Sequence, residues 1–231
     1  MRKLLFCFLV ILIFGGMADA QEAKIVIENY DSLHLKEIRT MMLNADSQYV
    51  DRGVFVRWYE SGTRWMDGRY DGDQPEGTVT EYREDLTRNS ESVYEQGEKV
   101  EEIFYNKRGL EELSKSKQPS NQVFTRVDEI TTPAGEYVQR EGYDQPKGIF
   151  INHGKAQVWS EKDGPLYEEG IFRRGKLHGL VVRYYPDGKK EFEGTYKDGK
   201  QDGIWIYWDS TGAVERLVIY KDNEIKSELT P

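Results

Sequence analysis

The stretch Gly179-Leu180-Val181-Val182-Arg183-Tyr184-Tyr185-Pro186-Asp187-Gly188 decides the fold when read with its continuation, Lys189-Lys190-Glu191-Phe192-Glu193-Gly194-Thr195-Tyr196-Lys197-Asp198-Gly199-Lys200-Gln201-Asp202-Gly203. Tyr185-Pro186-Asp187-Gly188 has the chemistry of a type I turn closing on a left-handed glycine, with proline second and glycine last. Lys197-Asp198-Gly199-Lys200 supplies a second turn. Strands of about five to seven residues fit between the turns. The unit is a β-hairpin.

It is also a repeat. Gly164, Gly188 and Gly212 lie 24 residues apart, as do Gly170 and Gly194, Gly175 and Gly199, and Gly179 and Gly203. Sliding residues 53–97 onto 179–223 needs no gap. Gly53 then falls on Gly179, Tyr59 on Tyr185, Gly62 on Gly188, Gly68 on Gly194 and Tyr70 on Tyr196. Self-similarity at this period marks an array of stacked supersecondary units. The expected fold is all-β, an elongated antiparallel meander of stacked 24-residue hairpins. Residues 53–100 form a first repeat block and 155–231 a second; 101–154 is a divergent repeat and loop region. Whether the blocks share one sheet or form two is left open.

Alternation separates the faces of the strands. One parity of the first strands runs Val54, Val56, Trp58; Thr78, Thr80, Tyr82; Leu180, Val182, Tyr184; Ile204, Ile206, Trp208, and is expected to be the packed face. In the second strands Tyr70, Tyr94, Phe172, Tyr196 and Tyr220 make an aromatic column. Gly68, Ser92, Gly170, Gly194 and Val218 stand two residues before them. Mostly small residues beside rings leave room for a neighbouring strand's aromatic to lie flat, so this column is structural. The remaining parity mixes rings with charges: Phe55, Arg57, Tyr59; Gln157, Trp159, Glu161; Val181, Arg183, Tyr185; Trp205, Tyr207, Asp209. Exposed, such rings would offer apolar area with a polar handle, as a binding surface needs. The alternative is a second, partly buried packing face. Phe55, Tyr59, Trp159, Tyr185, Trp205 and Tyr207 are the candidate ligand-binding residues.

Outside the repeats, residues 1–20 have the form of a cleavable signal peptide. Arg2 and Lys3 precede an apolar run from Leu4 to Phe14, and Ala18-Asp19-Ala20 supplies small residues for cleavage. The run is shorter than the roughly 20 apolar residues that span a bilayer. The sole cysteine, Cys7, lies inside it, so the processed chain would lack disulfides and thiol chemistry. Residues 21–52 are expected to cap the array. Lys24–Glu28 looks like a strand, and Asp31–Asn44 is adopted as strand although Leu35, Ile38 and Met42 also have helical spacing. In the divergent region, Ile103-Phe104-Tyr105 with Gly109 resembles a strand and turn. Lys115–Gln122 is a polar loop, and Gln122–Ile130 and Glu136–Glu141 are expected strands around Thr132-Pro133-Ala134-Gly135.

Aromatics make up 13% of the chain, too many for a disordered one. The net charge of -9 argues against nucleic acid and against strong binding to anionic membranes. Of the three histidines, His178 belongs to a repeat turn, His34 to the capping region, and His153 is expected in a loop. No His-Glu-x-x-His, phosphate-cradling Gly-x-x-x-x-Gly-Lys-Ser or nucleophile elbow occurs. Among 41 acidic residues no glycosidase-like pair stands out from the repeat pattern. Catalytic residues, metal sites and cofactors are therefore not expected.

At Glu193-Gly194-Thr195-Tyr196-Lys197-Asp198-Gly199-Lys200-Gln201-Asp202-Gly203, and at Arg174-Gly175-Lys176-Leu177-His178-Gly179, the chain resembles the MORN repeat, in the variant common in bacterial proteins. The resemblance is strongest over 155–223, good over 53–97 and weak between. It departs at Asp73 and Leu86, where turn glycines are missing. The resemblance implies an elongated antiparallel sheet without an active site and a role in protein–protein contact or dimerisation. Membrane association belongs to some eukaryotic members, and an antitoxin role is attached to some bacterial relatives. With the leader, the expectation is a non-enzymatic, periplasmic or extracellular scaffold for a protein partner, with homodimerisation through a sheet edge as a further expectation. A carbohydrate or cell-wall binder using exposed aromatics is the alternative.

Overall fold

The computed structural model describes residues 7–12, 23–31, 34–105, 126–145 and 149–231. Among these there is no helix; the strands form two antiparallel sheets. The first holds β1 (Cys7–Leu12), β2 (Ala23–Asn29), β3 (Leu35–Leu43), β4 (Tyr49–Trp58), β5 (Arg64–Asp71), β6 (Gln74–Pro75), β7 (Gly77–Tyr82), β8 (Arg88–Glu95) and β9 (Glu98–Phe104). The second holds β10 (Arg126–Thr131), β11 (Tyr137–Gln145), β12 (Ile149–Trp159), β13 (Leu166–Arg173), β14 (Lys176–Tyr184), β15 (Lys190–Lys197), β16 (Lys200–Gln201), β17 (Gly203–Trp208), β18 (Val214–Lys221) and β19 (Glu224–Leu229). In both sheets spatial order follows chain order, with the short β6 and β16 set beside β5 and β15. This is a meander, as the repeat predicts, laid down as two sheets. The ambiguous stretch behind Asp31 is strand over Leu35–Leu43. Ser32, Leu33, Gly109, the loop 115–122 and the cleavage pattern at 18–20 lie outside the described residues.

Two turn types alternate along each sheet. At the first, Gly188 N–H donates to the Tyr185 carbonyl at 2.9 Å and Tyr185 N–H to that of Lys189 at 2.8 Å, with Gly188 at φ +84°. That is a three-residue loop closing on a left-handed residue, and it adds one residue to the strand behind it. The register accordingly shifts between Arg183 and Tyr184, and likewise at Arg57/Trp58, Glu81/Tyr82 and Tyr207/Trp208. The second turn has two central residues at positive φ, as at Asp198 (+51°) and Gly199 (+85°), which matches the twist of the strands it joins. Hairpins are then tied one to the next. Gly175 N–H donates to the Asn152 carbonyl, Gly199 to Leu177 and Asn223 to Gln201, at 2.8, 2.8 and 3.0 Å.

Where turn glycines are missing, the backbone keeps the same path. Asp73 stands at φ +67° with its carboxylate accepting from Asp51 N–H at 2.6 Å. Leu86 stands at φ +69°, a conformation that costs a non-glycine residue about 1–2 kcal/mol. Its side chain is buried, which contributes about 1.5–3 kcal/mol and offsets that strain.

The expected packed face is buried over most of its length. Val54, Val56, Trp58, Thr80, Tyr82, Leu180, Val182, Ile204, Ile206 and Trp208 are all inside; Tyr184 is half-buried and Thr78 is exposed.

Candidate functional site

The ring-and-charge face is where the sequence placed a binding surface, and its rings are not free. Phe55 and Trp205 are only 2% and 1% exposed, which corrects the expectation of exposed aromatics at these two positions. The cause lies in the small-residue column. Gly68 is opposite Phe55, and a Cβ there would stand 3.0 Å from the Phe55 ring and 2.8 Å from Val79. At Gly194 a Cβ would fall inside the Trp205 indole. The missing side chain is the slot the ring fills. Trp205 then meets Tyr196 and Tyr220 edge-on, with centroids 5.2 and 5.8 Å away, and Phe192 at 5.5 Å. Its Nε1 donates to the Thr195 carbonyl at 3.1 Å. Val181 and Trp205, of the parity read as a binding face, form a core cluster with Val218 of the small-residue column.

Tyr59 and Tyr185 are half-buried and spend their hydroxyls on the neighbouring unit. Tyr59 donates to the Tyr82 carbonyl and Tyr185 to the Trp208 carbonyl, each at 2.9 Å. In the unit between, Arg83 takes the same place and donates to the Tyr105 carbonyl. Burial, followed by the nearby Glu81 and Glu191 respectively, raises both tyrosine pKa values. These residues are latches between hairpins. Tyr207 is half-buried, stacked on Trp205 at 6.2 Å and covered by the Arg216 guanidinium at 4.0 Å. Burial and the Tyr220 hydroxyl raise its pKa. Trp159 is half-buried against its cross-strand partner Tyr137, with centroids 5.4 Å apart. So of the six predicted residues, Phe55 and Tyr59 sit in the first sheet and the others in the second. Trp205 and Tyr207 stack on each other.

The charges of this face are matched as well. Arg39 donates to Glu28, Glu37 and Asp51 at 2.8, 2.8 and 3.0 Å. Arg57 donates to Glu37 at 2.7 Å and to the Tyr70 hydroxyl at 2.9 Å. Arg183 pairs with Glu168 and lies over Phe192 and Tyr167.

On the opposite face stands a feature that sequence reading missed. Asp67, Glu91, Glu169 and Glu193 occupy one repeat position; each is engaged by a base, and the first three also by a tyrosine of the next unit. Arg64 pairs with Asp67 at 3.0 Å, Arg88 with Glu91 at 2.7 Å, Lys155 with Glu169 at 2.8 Å, and Lys190 with Glu193. The Tyr105 hydroxyl donates to Glu91 at 2.6 Å and Tyr184 to Glu169 at 2.7 Å; Tyr82 bonds Asp67. Burial raises the Asp67 carboxyl pKa, with Arg64 opposing it. Perturbed carboxylates often mark active sites. Here Asp67, Glu91 and Glu169 are each held by a ring and a base and Glu193 is buried against Lys190, so the column works as a partly buried thread along the hairpins. The acids recur at the hairpin period, and that was the signal available in the sequence.

What remains open is different. Trp65 and Tyr167 share one repeat position, just past the first turn, and are 36% and 41% exposed. The described end strands of the two sheets carry further exposed apolar groups: Val100 and Phe104 on β9, Val127 and Ile130 on β10, Ile225 on β19. Both sets lay outside the predicted six, because their exposure is decided by bulge and strand order. His34 contacts Asp31, and His178 faces Asp198 across two turns; His153, expected in a loop, is instead buried within β12, where its ring Nδ1 accepts from Arg174 N–H. Among the described residues no group of three or more His, Cys, Asp or Glu is placed to hold a metal ion.

No curated protein matches the chain. Residues 177–198, which run along β14, around the turn at Gly188 and along β15, match the family model described as the MORN repeat variant. The chain is therefore a β-hairpin repeat protein that carries a MORN repeat variant.

Proposed function

We propose that this chain is an exported, non-enzymatic scaffold that binds another protein along the end strands of its sheets. The observation that carries this is the distribution of unspent surface. The rings and charges of the predicted face are consumed by neighbouring hairpins, whereas β9, β10 and β19 combine exposed apolar side chains with a strand edge that no other described strand pairs. An extended segment of a partner binds such an edge by main-chain hydrogen bonds, with side chains reading alternate residues. The net charge of -9 favours a basic partner. The leader-like first 20 residues support an encounter in the periplasm or outside the cell.

A photo-crosslinking residue at Phe104 or Ile225, in cells, tests this reading. Capture of one discrete polypeptide from these positions, and not from Tyr207, supports it; equal or absent capture from all three sinks it. A second reading, carbohydrate binding, is favoured by Trp65 and Tyr167 alone, two exposed rings at one repeat position. Saturable retention on insoluble cell-wall glycan that disappears in Trp65→Ala/Tyr167→Ala would replace the first reading with this one.

A further inference from the structure

The first sheet begins with Cys7–Leu12, part of the leader's apolar run. β1 pairs antiparallel with β2 over six residues, from Cys7 opposite Glu28 to Leu12 opposite Ala23. The edge of β2 is thus shown to accept an apolar strand, and the strand it accepts belongs to the segment that export would remove. Removal leaves Ala23-Lys24-Ile25-Val26-Ile27-Glu28-Asn29 as the new end of the sheet. Edge strands of soluble proteins are usually blunted by charge; this one carries one charge of each sign, Lys24 and Glu28, flanking Ile25, Val26 and Ile27.

We propose that removal of the leader turns the β2 edge into a homodimer interface, in which two copies pair β2 antiparallel about Val26. In that register Lys24 of each copy stands opposite Glu28 of the other, Ile25 opposite Ile27, and Val26 opposite itself. Two ion pairs and two aliphatic pairs form across the twofold axis, each of a kind that stabilises antiparallel strands. Pairing with β3 orients the residues consistently. Val26 and Glu28 lie opposite Arg39 and Glu37 on the charged face, and Ile27 lies opposite Ile38 on the packed face. The partner strand would continue both faces. The other described edges lack this complementarity. Fully overlapped, β9 sets Glu101 against itself, and β10 sets Asp128 against Glu129 twice, which repels. β19 sets Ile225 against Glu228 and pairs no opposite charges. Until cleavage the leader strand covers the one self-complementary edge among the described strands, so assembly follows export.

The inference rests on the export reading, and the test keeps the two apart. A full-length chain carrying a protease site between Ala20 and Gln21 is purified and cut in vitro, while the wild-type chain is recovered from the periplasm. Intact mass reports whether the cell removes the leader; light scattering reports assembly. The uncut chain is expected to be monomeric and the cut chain twice its mass. A wild-type chain that keeps its leader in cells, with a cut chain that dimerises, overturns the export reading and leaves the edge intact. A cut chain that stays monomeric overturns the edge. Charge exchange checks the register: Lys24→Glu and Glu28→Lys are each expected to remain monomeric when cut, because like charges then face each other twice. Mixed together, the two should form a heterodimer. A dimer that survives Lys24→Glu overturns the register. Should either variant fold poorly by circular dichroism, Val26→Cys decides instead: a disulfide joining position 26 of two cut chains is expected, and Lys24→Cys should give none.

Discussion

Gly68 in the first sheet and Gly194 in the second occupy the same place in the repeat, yet their slots are filled from opposite sides. At Gly68 the aromatic comes from the preceding strand, as Phe55, and the following strand contributes Val79. At Gly194 the preceding strand contributes Val181 and the following strand Trp205. Each slot holds one ring and one valine, in reversed order. What the repeat conserves is a volume shared by two strands, and a single strand's residue is free to change if its neighbour compensates. The larger ring also collects more. Trp205 touches Phe192, Tyr196, Tyr207 and Tyr220, whereas Phe55 has Tyr70 at 4.5 Å and Arg57 above it.

The strongest way to break this comparison is to empty the slots. Trp205→Ala is expected to cost about 3–5 kcal/mol, and Val79→Ala at the matching position about 2 kcal/mol. Denaturant unfolding followed by hydrogen exchange, which assigns each loss to its sheet, measures both. Reversal sharpens the test: Val79→Trp alone overfills the Gly68 slot, but with Phe55→Val the double variant should recover stability beyond the sum of its parts. Additive losses would disprove shared volume. Filling the glycine itself comes next. Gly194→Ala drives a methyl into the indole and is expected to cost about 3 kcal/mol; Gly68→Ala meets the movable tips of Val79 and Phe55 and should cost about 1 kcal/mol. Equal shifts in thermal midpoint would show the slots to be alike. Smaller again is the latch. Tyr59→Phe and Tyr185→Phe each remove one hydroxyl from a backbone carbonyl, for about 1 kcal/mol apiece, and faster exchange should appear on both hairpins that the latch joins.

Acidification should separate the sheets most gently. In the second sheet, Asp128 is held below its ordinary pKa by Arg140, Asp144 by Arg126, Asp187 by the Lys189 amide, Asp198 by Arg173, Asp209 by Thr211 and Glu224 by Lys226. A lowered carboxyl contributes stability above its ordinary pKa and loses it as pH falls through the lowered value. In the first sheet, Arg39 lowers Glu28 and Lys99 lowers Glu102, but burial raises Asp51 and Asp67. A raised carboxyl acts oppositely: its folded form is favoured at low pH and loses ground as pH rises from the ordinary value to the raised one. Between pH 4 and pH 2 the second sheet should therefore lose exchange protection first. Most of its groups are exposed and screened by salt, so the gap should narrow as salt is added.

The sequence by itself determined the hairpin. Gly188 and Gly199 at left-handed turns, the 24-residue spacing and the alternation Leu180, Val182 and Ile204, Ile206 are local properties, set by backbone sterics and side-chain period. Even the departures at Asp73 and Leu86 left the path legible, because neighbouring units hold it in register. Only the tertiary structure decided which rings are free. Trp205 and Trp65 are equally aromatic in sequence, but one lies over a glycine on the adjacent strand and the other is the extra residue of a bulge, skipped between Arg64 and Met66. The acid column was hidden for the same reason: Glu193 looks like any surface acid until Lys190 and the adjoining strands close around it. Burial is a property of what the next strand brings, and the division into two sheets likewise depends on where pairing stops, which no single hairpin encodes.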